Sequence, residues 1–128
     1  MSQKIILNTE KAPAAIGPYN QAIKADKTLY VSGQIPLIPE TMELITTGAA
    51  DEAHQVLKNV DAILKNAGYG FEDVVKASIF LSSMDDFATV NEVYAQYFTT
   101  AQPARECVAV KTLPKNVNVE ISVIAWKD

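Results

Sequence analysis

The 128-residue sequence contains one cysteine, one histidine and one tryptophan. A lone Cys107 excludes an internal disulfide and any site built from several thiolates, and a lone His54 excludes a histidine cluster. No protein-bound metal is therefore expected. The only apolar run near the start, Ile5 to Leu7, gives way to polar residues and proline, and is too short for a signal-peptide core. No stretch approaches the roughly 20 apolar residues that cross a bilayer. With no export signal and an unpaired thiol, the chain reads as cytoplasmic. Basic residues are few and scattered. Eleven Lys and Arg against fifteen Asp and Glu leave a formal charge of −4, and no basic stripe that would collect phosphates. Nucleic acid is not an expected partner.

What remains is the composition of an ordinary globular domain, with 48% hydrophobic and 20% charged residues. A chain of this size buries roughly two thirds of its unfolded surface without covalent staples, so residues 1–128 are read as one domain. Lys4 to Leu7 has the character of a short strand, a loop punctuated by proline runs from Ala12 to Pro18, and a second strand is expected around Tyr19 to Lys24. Asp26-Lys27 is a turn, Thr28 to Gly33 alternates as a strand, and Pro36, Pro39 and Gly48 break the next stretch into a long loop with room for one short strand. From Ala49 to Ala67, Ala53, Val56, Leu57, Val60, Ile63 and Leu64 recur at helical spacing before the stop at Gly68.

Asp73 to Ser82 alternates again, placing Val75, Ala77, Ile79 and Leu81 on one face and Lys76 and Ser78 on the other. Ser83 fits the N-cap of a second helix whose Phe87, Val90, Tyr94 and Tyr97 repeat as a core stripe ending near Phe98. Strands at Arg105 to Val110 and Val117 to Trp126 follow, separated by a turn at Leu113 to Asn116. This order predicts an α+β fold with a single mixed sheet and two helices on one face. Both faces of the last strand are apolar, Val117 to Ala125 on one side and Ile124 and Trp126 on the other, so the uncovered face calls for another subunit.

Two charged residues stand out. Alternation groups Arg105 with Cys107 and Ala109, and places Glu120 beside Asn118 and Ser122 between neighbours that look buried. The pair reads equally well as a cross-strand ion pair or as a site in which Arg105 grips a carboxylate and Glu120 positions water. Pattern alone does not choose. Cys107 lacks a nearby histidine to activate it and reads as a buried thiol. His54 reads as a solvent-facing helix residue, and Gly33, Tyr19 and Asn91 each have plain structural explanations: a strand bend, an aromatic lid and a satisfied polar group.

Pro103-Ala104-Arg105-x-Cys107-Val108, Leu113-Pro114 and Val119-Glu120-Ile121 resemble the C-terminal signature of the RidA (YjgF-like) family of reactive-intermediate imine deaminases. Ala14-x-Ile16-Gly17-Pro18-Tyr19, Val31-Ser32-Gly33-Gln34-Ile35-Pro36 and Phe87-x-x-Val90-Asn91 extend the resemblance along nearly the whole chain. It implies a chorismate-mutase-like fold, a homotrimer with sites between subunits, and hydrolysis of 2-imino and enamine acids to 2-keto acids without metal or cofactor. These substrates are the reactive products of pyridoxal-phosphate-dependent dehydratases. The resemblance further implies that Arg105 binds the substrate carboxylate, that Glu120 acts on water, and that Tyr19, Ser32, Gly33, Asn91 and the Cys107 backbone complete the pocket. Glu106 departs from the small residue usual after the arginine. A keto-acid-binding sensor without turnover is the alternative of a different class, and nucleic-acid cleavage a third that the charge disfavours.

Overall fold

The computed structural model describes residues 3–128. Six strands form one sheet in the order β1-β2-β3-β6-β4-β5: β1 (Lys4–Leu7), β2 (Ala22–Ala25), β3 (Thr28–Gln34), β4 (Val74–Leu81), β5 (Ala104–Ala109) and β6 (Val119–Trp126). All neighbours are antiparallel except β4 and β5. Helix α1 (Ala49–Asn66) connects β3 to β4, and α2 (Phe87–Tyr97) connects β4 to β5. Since β6 runs antiparallel to both β3 and β4, those two strands are parallel. Each helix is thus the crossover of a β-α-β unit, and the last strand fills the gap left by the first unit.

Both helices cover the same face. Leu29 and Val31 of β3, Ala77, Ile79 and Leu81 of β4, and Val119, Ile121, Val123 and Ala125 of β6 form one buried cluster with Val56, Leu57, Val60, Ile63 and Leu64 of α1 and Val90, Val93 and Tyr94 of α2. Glycines in positive-φ conformations stand at both ends of α1, Gly48 at 121° and Gly68 at 82°, a backbone state that residues with a Cβ seldom adopt.

The expected mixed α+β sheet with two helices is present, with corrections at particular elements. The second strand begins at Ala22, and Tyr19 lies in the loop before it. The expected strand in the long loop is reduced to one bridge, Leu37 to Leu44. Val75 does not join Ala77 and Ile79. The β4–β6 register shifts between Val74 and Lys76, so Val74 points inward and Val75 is 47% exposed; a bulge of this kind turns one residue to the opposite face. Ser83 caps a single 3₁₀ turn (Met84–Asp86) by accepting from the Asp85 amide, and α2 starts only at Phe87. His54 is half-buried, with Nδ1 3.0 Å from the Tyr97 hydroxyl.

Buried polar side chains tie the loops to this frame. Gln21 donates to the carbonyls of Thr9 and Pro13 and accepts from the Thr9 amide, which fixes the segment before Tyr19. Asn59 of α1 donates to the Ile35 and Leu37 carbonyls. Each side chain satisfies backbone groups that would otherwise be buried unpaired.

Candidate active site

The sheet divides the candidate residues into two groups. Arg105 pairs in register with Ala77, whose side chain faces the helices. Glu120 pairs with Phe80, one step out of phase with Ala77 and Ile79, and so lies on the open face. Arg105 and Glu120 are therefore on opposite faces, which eliminates the cross-strand ion pair between them.

Arg105 extends over α2. Its Nη1 donates to Asn91 Oδ1 at 2.8 Å, and the guanidinium carbon lies 4.9 Å from the centre of the Tyr94 ring and 5.9 Å from that of Phe87. Phe87, Asn91 and Tyr94 are spaced i, i+4 and i+7, so one helix face cradles the cation. A cavity of about 370 Å³ lined by Asn91, Tyr94, Phe98, Gln102, Pro103 and Arg105 opens beside it. Among the described residues no carboxylate forms an ion pair with Arg105. An arginine held only by neutral groups keeps its remaining N–H donors for a ligand carboxylate or phosphate. Cys107, two residues along the same face, is half-buried, and burial pushes its thiol up; this is the opposite of what an activated nucleophile requires.

The second group surrounds Glu120. A cavity of about 450 Å³ is lined by Tyr19, Ser32, Gly33, Ile35, Pro114 and Glu120, with Pro13, Ala14, Ile16, Gln21, Gln34 and Leu37 completing its walls. The register from Val31–Val123 to Gln34–Ile121 leaves Ser32 and Gly33 opposite Ser122 alone, a β-bulge. It brings Gly33 under the Glu120 carboxylate: a Cβ on Gly33 would fall 2.1 Å from Glu120 Oε2. The missing Cβ at Gly33 leaves room for the Glu120 carboxylate where it lies; a side chain at 33 would displace it. Burial raises the Glu120 carboxyl above the ordinary carboxylate range, which favours proton exchange nearer neutral pH. The Ser32 hydroxyl donates to the Asn20 carbonyl at 2.6 Å, leaving it only acceptor capacity. Tyr19 is 46% exposed at the cavity rim.

Tyr94, read as core from its spacing, is in the core and also lines the cavity beside Arg105; the signal was Asn91 interrupting the aromatic stripe beside it. Glu106 faces the open side and pairs with Lys76 Nζ at 2.7 Å and with the Ser78 hydroxyl. Those two hydrogen bonds, Lys76 first, hold its carboxyl below the ordinary range.

A mixed sheet backed by two helices, with a guanidinium held by neutral groups on one face and a half-buried carboxylate over a glycine on the other, defines a small α+β protein with two candidate polar sites. The chain belongs to the YjgF/RidA family, and residues 9–127 match the family model described as Endoribonuclease L-PSP. It is 51% identical over 120 residues to a 2-iminobutanoate/2-iminopropanoate deaminase of Bos taurus, covering 94% of this chain and 88% of that protein. It is 50% identical over 125 residues to a RutC family protein of Pyrococcus horikoshii, covering 98% and 99%. Escherichia coli TdcF, solved with bound serine, superposes with a TM-score of 0.92 at 42% identity, covering 97% of this chain and 99% of that one.

Proposed function

We propose that the protein hydrolyses 2-imino acids and their enamine tautomers, such as 2-iminobutanoate and 2-iminopropanoate, to 2-keto acids and ammonia. The observation that carries this reading is Arg105, a fixed cation bonded to neutral Asn91 with a cavity at its side. The names of relatives near 50% identity support the same chemistry. The substrate carboxylate takes the free edge of the guanidinium, where bidentate geometry fixes the imine carbon. Glu120 takes a proton from water as its oxygen adds to that carbon, the C=N electron pair moves to nitrogen, and Glu120 passes the proton to that nitrogen. The carbinolamine then collapses: Glu120 takes the hydroxyl proton, C=O forms, the C–N bond breaks, and ammonia leaves with that proton. An enamine first gains a proton at its terminal carbon. Such imines hydrolyse unaided, so orientation and one acid/base group, together about 10²- to 10⁴-fold, suffice.

Because Arg105 and Glu120 occupy opposite faces, one molecule of substrate meets both only if a second copy supplies one of them. A homotrimer with sites at its subunit boundaries fits this requirement and covers the open sheet face. The lone thiol and the substrates, products of pyridoxal-phosphate-dependent dehydratases acting on serine or threonine, favour the cytoplasm. No helix among the described residues is long and apolar enough to cross a membrane.

The test couples the purified protein to a threonine dehydratase and follows 2-oxobutanoate. Accelerated keto-acid release is expected from the wild type, and loss of most of it from Arg105→Ala. Equal release with and without the protein, alongside tight 2-oxobutanoate binding, would identify a sensor instead.

A further inference from the structure

We infer that Tyr94 is a positioning residue for the imine-binding arginine: its ring face, backed by Phe98, holds the Arg105 guanidinium in the orientation that receives the substrate carboxylate. This rests on the deaminase reading of Arg105.

Three features of the structure lead there. An arginine side chain at an edge strand is free to sample many rotamers, and that freedom is lost when it grips a ligand. Among the described residues Arg105 has one side-chain hydrogen bond to restrict it, to Asn91. The remaining restraint is aromatic, and Tyr94 is the nearer of two rings, with the cation 4.9 Å from its centre against 5.9 Å for Phe87. Tyr94 is itself held by packing. It is 6% exposed and stacks on Phe98 at 4.2 Å with an interplanar angle of 17°, so the plane beneath the guanidinium is set by the core. Its hydroxyl is buried without a hydrogen-bond partner among the described residues. The contact with Arg105 is made by the ring face, and the hydroxyl forms no hydrogen bond to it, so the hydroxyl is dispensable for this role.

The geometry assigns a separable signature. Tyr94 touches the grip on the carboxylate and not the reacting carbon, so its loss weakens substrate and transition state alike and appears in KM. A cation–π contact of this kind corresponds to about 3- to 30-fold in affinity. Tyr94→Leu and Tyr94→Met remove the aromatic face while keeping an apolar filler, methionine being the more adaptable if leucine fails to fold; Tyr94→Phe keeps the face. In full-length protein, KM for 2-iminobutanoate and the dissociation constant of 2-oxobutanoate are expected to rise together about 3- to 30-fold in Tyr94→Leu or Tyr94→Met, with kcat within about twofold. Tyr94→Phe should match the wild type. The Arg105 Nε proton resonance should show the ring-current shift in wild type and Tyr94→Phe and lose it in the aliphatic variants.

Unchanged 2-oxobutanoate binding in a folded aliphatic variant overturns the assignment, as does a loss in Tyr94→Phe equal to that in Tyr94→Leu. If the wild type neither binds 2-oxobutanoate nor accelerates hydrolysis, the deaminase reading itself fails and the role of Tyr94 falls with it. If the wild type does both while the aliphatic variants match it, only Tyr94 is wrongly assigned.

Discussion

Glu120 is where one residue's surroundings bear most directly on chemistry. Burial raises its carboxyl, so the folded chain keeps this proton to higher pH than the unfolded chain does. With more protons bound in the folded state, stability falls as pH rises from the unfolded carboxylate value, about 4.3, through the higher folded one. Glu120→Gln is therefore expected to raise the melting temperature at pH 7, and the gain should vanish below pH 4, where both states of the wild type are protonated. Thermal melts across this range test the sign; a gain that persists in acid would place its origin elsewhere. If Glu120 is the proposed acid/base group, the acid limb of kcat/KM is expected above the ordinary carboxylate range, and the Gln variant should lose that limb. From the sequence, Glu120 was recognisable as anomalous because Val119 and Ile121 flank it. The reason it tolerates its position, the missing Cβ of Gly33 across the strand, depends on a bulge that two consecutive residues do not reveal.

At the scale of elements, alternation and helical spacing located both helices and nearly every strand because each buries one face. They failed where the backbone departs from regular geometry. Val75 turned outward at a bulge, and Tyr19 left its strand because the chain before it is bound to Gln21. Glu52 shows a further limit. An acidic residue in the first turn of a helix normally faces water, yet this one is 3% exposed. It accepts from the Asn118 backbone at 2.9 Å and from Asn118 Nδ2 at 2.6 Å, and Ser82 donates to Asn118 Oδ1. This joins the start of α1 to the ends of β4 and β6 just before Glu120. No local pattern announces a partner 66 residues away. Glu52→Ala leaves two half-buried donors of Asn118 without their acceptor, which costs at most about 1–3 kcal/mol, and urea unfolding should show the midpoint falling by the corresponding amount.

For the whole molecule the decisive fact is the side of the sheet on which each charge lies. Period-two alternation grouped Arg105 with Cys107 and Glu120 with Ser122, but the relation between the groups depends on β6 entering between β3 and β4, a long-range event. The open face that carries Glu120 also displays Tyr30 and Trp126, each 49% exposed, and Val108 at 44%, apolar side chains that a partner surface could cover. The proposed assembly would answer both observations, with copies packed by this face and the Arg105 edge of one against the Glu120 cavity of the next. Subunit mixing tests it. Arg105→Ala and Glu120→Ala chains are each impaired at every site when pure. Unfolded together in equal amounts and refolded, they place an intact arginine against an intact glutamate in about one quarter of the sites of a cyclic assembly. Deaminase activity is therefore expected to climb to about a quarter of the wild-type value, above both parents. A site contained within a single chain gives no such gain, because every chain in the mixture lacks one of the two groups.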